Sequence, residues 1–213
     1  MALHRPLAAA VAAARDRGER PVSLAGDCCS AIAVLAGLER AGCDPTLIWF
    51  DAHGDFNTWE TTPSGFLGGM PLAMICGLGE QTLVRAVGLQ PLKPASVLLV
   101  DGRDLDPGER ELLESQRVRR LPRVGALLER ELPAGPLWIH WDVDVLDPRD
   151  APAMDYPVAG GARTAELRAV FDRLARSGQV AAVSVSCWNP TRDRDGRTAL
   201  VCRDLLRSLL GRE

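Results

Sequence analysis

The sequence predicts an α/β fold in three layers, α/β/α, with a central, mainly parallel sheet. Short apolar segments alternate with helix-length segments along the 213 residues, an order typical of parallel strands joined by helices. The strand segments are almost continuously apolar, as at 46–50 and 95–100, which indicates strands covered on both faces. Because no internal repeat or low-complexity linker interrupts the chain, we expect residues 1–213 to form a single domain.

The first half of the chain begins with an Ala-rich stretch. We interpret 3–17 as an amphipathic helix rather than a secretion signal, because its apolar residues are mostly Ala and charged residues follow at once. A long loop at 52–69 carries few regular signals. The other elements expected up to residue 100 are strands at 21–25, 46–50 and 95–100 and helices at 30–41, 71–76 and 81–87.

In the second half, Pro107 suits the first turn of a helix, because proline has no N–H to leave unpaired there. The segment 118–121 is a short candidate strand, and an apolar strand at 136–141 runs into Asp142. The remaining elements expected are a helix at 163–177, a strand at 180–186 and a closing helix at 197–210.

The composition describes an ordinary soluble protein without a strong charge bias. Apolar residues make up 46% of the chain, and 25 Lys and Arg against 28 Asp and Glu leave a net charge of −3. This balance argues against nucleic acid and against an anionic membrane as partners. No apolar run approaches the roughly 20 residues of a membrane span. The six cysteines are scattered, without a Cys-x-x-Cys pair, which favours a reducing cytoplasm over a disulfide framework.

Acidic residues follow the apolar strands where the strands end. Asp51, His53 and Asp55 follow one strand, and Asp142 and Asp144 follow another. In open parallel sheets, ligands bind at the carboxyl ends of the strands. A spacing of two residues points side chains the same way in extended chain, so we expect each group to converge.

A single Asp-x-Asp is usually a surface loop or a helix cap, but two such groups after two buried strands favour a metal site. Carboxylates that converge in this way repel one another without a cation. The mixture of imidazole and carboxylate suits manganese, with zinc, cobalt or iron as alternatives. Two metals can share bridging carboxylates and lower the pKa of a shared water, which gives a hydroxide nucleophile near neutral pH.

Four segments resemble motifs of the arginase (ureohydrolase) superfamily, in the family's order and approximate spacing. The segment 26–28 is similar to the last three positions of G-G-D-H, 51–58 to D-A-H-x-D-x-N-T, 102–109 to R-D-x-D-P-x-E, and 142–148 to D-x-D-x-x-D-P. The resemblance implies an α/β fold, a binuclear centre with two Mn²⁺ per chain, and hydrolysis of a guanidino or related carbon–nitrogen bond. The stretch 56–70 is also similar to N-hydroxyarginine hydrolases, which likewise carry Cys at the first ligand position.

The resemblance implies roles for individual residues. Asp51 and Asp142 would bridge the metals, and Asp55 and Asp142 would be the catalytic carboxylates, with Asp55 accepting or relaying a proton. Asp147 would be structural. The implied metal ligands are Cys28, Asp51, His53, Asp55, Asp142 and Asp144. The implied substrate contacts are Asn57, Ser64, Asp106, Glu109 and Cys187, for which turn and cap chemistry is the alternative.

The chain departs from the family pattern at three side chains. Cys28 stands where the pattern has His, and it is either a ligand, although thiolate is soft for manganese, or a small apolar filler. Gly68 stands where arginases carry a His that resembles a proton shuttle. Cys187 stands where a Glu would pair with guanidinium, and a neutral thiol lacks the carboxylate that guanidinium prefers, which argues against plain arginine or agmatine.

A fourth departure concerns the start of the matched segments. The family's first strand and helix appear in this chain only in shortened form or not at all, so we expect an N-terminally shortened sheet that has lost an edge strand or covers that edge differently. His140 could point the same way as Asp142 but matches no ligand position, and it is interpreted as a satisfied structural histidine.

The leading hypothesis is a metal-dependent hydrolase that cleaves a guanidino, hydroxyguanidino or amidine carbon–nitrogen bond of an amino-acid-like small molecule. The alternative is a catalytically silent, metal-binding relative with a binding or regulatory role, which the residues at 28, 68 and 187 favour. A single-metal deacylase is a weaker alternative, because the two Asp groups suit two metals better. The resemblance also suggests a homo-oligomer.

Overall fold

The computed structural model describes residues 2–211 and contains a six-stranded sheet in which every neighbouring pair is parallel. The strand order is β1-β6-β5-β2-β3-β4. This confirms the predicted α/β fold class. The strands are β1 (Val22–Leu24), β2 (Thr46–Asp51), β3 (Val97–Asp101), β4 (Arg119–Leu121), β5 (Leu137–Asp142) and β6 (Val180–Ser186).

Helices cover both faces of this sheet, because the central strands are apolar on both sides. In β2, Leu47 and Trp49 pack into one core, whereas Ile48 and Phe50 pack into the other, as the alternation of side chains along a strand requires. The three-layer expectation is therefore confirmed. The helices are α1 (His4–Asp16), α2 (Ala31–Arg40), α3 (Pro71–Ile75), α4 (Thr82–Val87), α5 (Pro107–Ser115), α6 (Thr164–Ser177) and α7 (Arg197–Leu209).

The two edges of the sheet are the short strands β1 and β4, of three residues each. Short edge strands leave little unpaired backbone for pairing with another chain. The helix α1 packs against α2, with Ala8 and Val11 buried and the Cα of Gly37 close to them. None of the helices between residues 2 and 211 has both the length and the apolarity that a membrane crossing needs.

The sequence prediction was wrong in detail at several turns. β3 begins at Val97, because 94–96 forms a 3₁₀ turn. A 3₁₀ segment at Val124–Glu129 was not predicted, and neither were the short turns at Cys28–Ser30 and Val143–Val145. These turns carry no periodic hydrophobic pattern of their own, since they are set by side-chain caps such as that of Asp27 on the Cys29 N–H.

Candidate metal centre

The candidate site lies at the carboxyl ends of the central strands. β2 ends at Asp51 and the neighbouring β5 ends at Asp142. A cavity of about 610 Å³ opens at this edge of the sheet. All the predicted site residues line the cavity except Asp51, which is buried beneath it. Those that line it are Cys28, His53, Asp55, Asn57, Ser64, Asp106, Glu109, Asp142, Asp144 and Cys187.

Three overlapping sets of donor atoms have all their members within 4.8 Å of one another. His53 Nδ1 lies 3.0 Å from Asp144 Oδ2 and 3.4 Å from Asp51 Oδ1. The Asp51 carboxylate is held from both sides, by the His53 N–H at 2.7 Å and by the Trp49 indole N–H at 2.9 Å. The sets are Asp51, His53 and Asp144; Cys28, Asp51 and Asp55; and Cys28, Asp142 and Cys187.

The two groups of residues that follow β2 and β5 converge because the chain turns after each strand, and not because it continues in an extended conformation. Asp142 ends β5, and Asp144 lies in the following 3₁₀ turn, where its N–H donates to Asp142 Oδ1 at 2.9 Å. Asp55 has a φ of 49°, in the left-handed region that few residues other than glycine adopt. The predicted convergence of these side chains is therefore present, but the reason predicted for it, side-chain alternation along extended chain, was wrong.

Burial and mutual repulsion shift the ionisable groups of this centre. Burial and the Asp144 charge raise the pKa of Asp51 to about 7. Burial and neighbouring carboxylates raise the pKa values of Asp142 and Asp55 well above their usual range. Burial lowers the pKa of His53, but hydrogen bonds with Asp144 and Asp51 outweigh it and raise the pKa to about 11. Without a bound cation, these groups therefore hold protons, and the binding of a metal cation would release them.

The donor set fits divalent metal ions. Asp55 Oδ2 is buried and has no hydrogen-bond partner, an arrangement that is unfavourable unless a ligand completes it. Carboxylate, imidazole and thiol donors meet within metal-binding distance of one another. The residues that could hold metal ions are Cys28, Asp51, His53, Asp55, Asp142, Asp144 and Cys187.

The predicted substrate contacts lie on the cavity wall, but several are also engaged in local structure. Glu109 accepts the backbone N–H of Phe56 at 2.8 Å and that of Asp106 at 3.3 Å, so cap chemistry is shown for it and a substrate role stays a prediction. Asn57 donates to Asp106 Oδ2 at 2.9 Å. Ser64 is exposed at the mouth of the cavity.

Asp147 lies outside the cavity and holds the chain after β5. One of its oxygens accepts from the backbone and side chain of Arg149, at 2.9 and 2.7 Å, and the other accepts the Gly160 N–H at 3.0 Å. These contacts are consistent with the structural role expected for this residue.

The sequence analysis left His140 without a role in the centre. The ring is fully buried and stacks on Trp49 with 3.6 Å between centroids. Its Nδ1 lies 2.9 Å from Ser184 Oγ, and its Nε2 lies 3.3 Å from Cys28 Sγ. Burial lowers the pKa of His140 to about 3, so the ring is neutral with a single N–H. The position of His140, two residues before Asp142 on β5, was the signal that could have placed it here.

Comparison with known proteins places this chain in a family. The model of the arginase family matches residues 1–211. The arginase of Bacillus subtilis (strain 168) is 35% identical over 205 residues, which cover 91% of this chain and 69% of the relative. The N(omega)-hydroxy-L-arginine amidinohydrolase of Streptomyces lavendulae is 41% identical over 162 residues, covering 74% of this chain and 57% of the relative.

The fold agrees with these matches. The crystal structure of arginase from Bacillus subtilis subsp. subtilis str. 168 has a TM-score of 0.91 to this chain at 34% identity, and the alignment covers 99% of this chain and 76% of that chain. Arginase from Bacillus caldovelox has a TM-score of 0.87 at 34% identity, covering 99% of this chain and 75% of that one. With a family model matched over 1–211 and relatives above 30% identity across most of its length, the chain belongs to the arginase family.

Proposed function

We propose that this chain is a metal-dependent hydrolase that cleaves a carbon–nitrogen bond of a guanidino, hydroxyguanidino or amidine group on an amino-acid-like substrate. The observation that carries the proposal is the convergence of carboxylate, imidazole and thiol donors on the floor of one cavity at the ends of β2 and β5. The names of the arginase and amidinohydrolase relatives support the same reaction class. We further propose two divalent cations per chain, with manganese suited to the donors of Asp51, His53 and Asp144.

Different residues of the chain would have different roles in such a reaction. When bound, two divalent cations would lower the pKa of a shared water and polarise the reacting group of the substrate. Asp55 lines the cavity and has a carboxylate oxygen without a hydrogen-bond partner, so it is the carboxylate available to take a proton from the attacking water. Asp142 is held by the Asp144 N–H and the Cys28 thiol, which keeps its two oxygens oriented. The burial of both acids keeps competing water away from them.

The cavity wall favours an amino-acid derivative over a bare guanidine. Asp104, Asp106 and Asp155 line the cavity. The carboxylates of Asp104 and Asp106 would attract an ammonium group, whereas that of Asp155 is paired with Arg192. Cys187 also lines the cavity, so position 187 offers no carboxylate that could pair with the guanidinium group of a substrate. A less basic hydroxyguanidine loses less than a guanidinium does from the lack of a carboxylate at position 187. We therefore propose hydroxyguanidino compounds as better substrates than arginine.

A metal-loaded assay tests this function. The full chain would be incubated with L-arginine, agmatine and Nω-hydroxy-L-arginine, and urea or hydroxyurea release would be measured. We expect turnover of the hydroxyguanidine to exceed that of arginine. Asp142→Asn should reduce the rate roughly 100- to 1,000-fold, the scale of losing one electrostatic contact in a transition state. If the protein has two bound metals and still turns over no amidine or guanidine, the hydrolase proposal is wrong.

The second candidate is a silent metal-binding relative, which the residues at two positions favour. Gly68 supplies no imidazole at position 68, and Cys187 supplies no carboxylate at position 187, although both residues line the cavity. A silent relative would bind metal with the same stoichiometry but bind the amino acid without hydrolysing it. Calorimetric binding of the same three compounds, beside the turnover assay, separates the two candidates.

A further inference from the structure

The metal-binding atoms around Cys28 differ in chemistry from those around His53. Cys28 Sγ lies 2.9 Å from Asp142 Oδ2 and 3.8 Å from Cys187 Sγ. Asp142 is buried, as is Cys28, and Cys187 lies at the cavity wall. The opposite cluster, with Asp51 and His53, contains no sulfur among its donors. One half of the centre is therefore rich in thiol, and the other half has oxygen and imidazole donors.

We propose that Cys28, Cys187 and Asp142 form a thiolate metal site that takes Zn²⁺ in preference to Mn²⁺. This assigns Cys187, which was expected to contact substrate, to the metal instead. The proposal deepens the proposed function, because it rests on this edge of the sheet being a metal centre. It leaves manganese to the neighbouring donors of Asp51 and His53.

The distances support a tetrahedral zinc ion. Two sulfurs at the usual Zn–S length of about 2.3 Å lie about 3.8 Å apart when they share one tetrahedral ion. The Cys28 and Cys187 sulfurs are separated by this distance before any ion is added. Neither thiol therefore needs to move far to bind zinc. Asp142 Oδ2 lies 2.9 Å from Cys28 Sγ and would have to move outward by roughly 0.6 Å, because a sulfur and an oxygen that share one tetrahedral zinc ion are about 3.5 Å apart. Binding would release both thiol protons to solvent.

The backbone at Cys187 brings its thiol to this position. Cys187 has a φ of 68°, in the left-handed region, which is unfavourable for a residue with a Cβ. It directly follows β6, whose last residue, Ser186, places its Oγ 3.0 Å from Cys28 Sγ. A residue held in this conformation at the wall of a site is typical of a functional constraint.

The neighbouring Cys29 provides a comparison, because its thiol is buried but lies outside the donor sets. Cys29 is also buried and follows Cys28 directly, but its Sγ is 3.9 Å from the Leu67 carbonyl and belongs to none of the donor sets. Proximity in sequence and burial alone therefore do not bring a thiol into the centre. Soft thiolate donors favour zinc, whereas manganese prefers carboxylate and water.

Metal competition tests the proposal. Full-length protein kept reduced would be stripped with a chelator and dialysed against equimolar Zn²⁺ and Mn²⁺, followed by elemental analysis and X-ray absorption at the zinc edge. We expect one zinc per chain with two sulfur ligands at about 2.3 Å. Cys187→Ser should leave one sulfur on the zinc and lower the zinc-over-manganese preference at least about 10-fold, the scale of losing a ligand partner.

The matched control is Cys29→Ser, which removes a buried thiol next to the cluster and should leave both readouts unchanged. Two results would overturn the proposal. One is wild-type protein that loads manganese at both sites or zinc without sulfur ligands. The other is a thiol titration that shows Cys28 and Cys187 joined as a disulfide under the same reducing conditions.

The metal measurements do not depend on turnover, so the two proposals fail separately. Zinc bound through two sulfurs in a protein without any carbon–nitrogen hydrolysis supports this site and contradicts the hydrolase. Hydrolysis by a protein loaded with manganese alone supports the hydrolase and overturns this site.

Discussion

The Phe66 ring occupies the space that a side chain at position 68 would need. A Cβ placed on Gly68 would lie 2.5 Å from Cζ of Phe66, well inside contact distance. Phe66 in turn lies 5.3 Å from the Tyr156 ring, measured between centroids. At the position where the family resemblance implies an imidazole, this chain therefore has the Phe66 ring instead. The ring can lie there only because residue 68 is a glycine without a Cβ.

We predict that Gly68→Ala acts through Phe66 on substrate binding rather than on stability. The ring is half exposed, so it can swing outward, and the free energy of unfolding should change by less than about 0.5 kcal/mol. The KM of the best substrate should change several-fold. In a Phe66→Ala background, Gly68→Ala should have no further effect on KM. An equal effect in both backgrounds would show that the two residues act independently.

A second prediction concerns Asp55 and metal-dependent stability. Ligands that bind only the folded state stabilise it, by about 2.7 kcal/mol at 100 times the dissociation constant. The wild-type Tm should therefore rise steadily with metal concentration. Asp55→Asn keeps a side chain that tolerates the positive φ but removes a charged donor, so its Tm should rise less. Scanning calorimetry across a metal titration measures both.

Asp55→Asn should change the metal-free Tm little, because Asp55 Oδ2 has no hydrogen-bond partner to lose and burial, which raises the pKa of Asp55 well above its usual range, already disfavours the charged carboxylate. If the variant responded to metal as the wild type does, Asp55 would not be a ligand. Ser64→Ala, at the exposed mouth of the cavity, is a suitable control that should respond normally.

The fold could be predicted from the sequence because its signals are local. Runs such as the apolar β2 and the helix α6 carry their own periodicity, and strand endings in Asp51 and Asp142 located the centre. The turns that orient the proposed metal ligands have no comparable signal in the sequence. Asp144 is placed by a hydrogen bond to Asp142, and Asp55 by a left-handed backbone, which no residue pattern predicts.

Long-range contacts between residues were also missed. Cys28 and His140 are far apart in sequence, and their contact depends on how β5 lies against the segment after β1. The Phe66 ring over Gly68 depends on the fold of a loop without periodicity. Such pairs are set by tertiary packing and are visible only in the structure.

The third prediction is a pH dependence that comes from Glu109. Burial, which outweighs the hydrogen bonds from the Phe56 and Asp106 N–H groups, raises the pKa of Glu109 from 4.5 to about 7. The folded protein therefore binds this proton more tightly than the unfolded chain does. The contribution of Glu109 to stability is greatest below about pH 4.5 and is lost as the pH rises towards 7.

Glu109→Gln removes this titration. The free energy of unfolding of the wild type, relative to that of the variant, should fall as the pH rises from about 4.5 to about 7 and then level off. Urea unfolding at several pH values in chelator measures this difference. A difference that rose with pH would mean that the two backbone hydrogen bonds, and not burial, dominate at this carboxyl group.

The last prediction concerns His140 as a support for Cys28. Ser184 Oγ accepts the Trp138 indole N–H at 3.0 Å, so its own hydroxyl proton is free to donate to Nδ1 of His140. The ring proton then lies on Nε2, which is 3.3 Å from both Cys28 Sγ and Ser186 Oγ. A ligand oriented in this way binds metal more tightly, and loss of such an outer contact weakens metal affinity about 10- to 100-fold.

His140→Phe keeps a ring that can stack on Trp49 but removes both nitrogen atoms. We expect it to lower metal affinity by that factor, measured by competition with a chelator, with little change in the far-ultraviolet spectrum. In a Cys28→Ala background the same change should have no further effect on affinity, because His140 acts through the sulfur. An equal loss in both backgrounds would instead assign His140 to packing of the core, since the ring stacks on Trp49, whose indole N–H donates to Asp51.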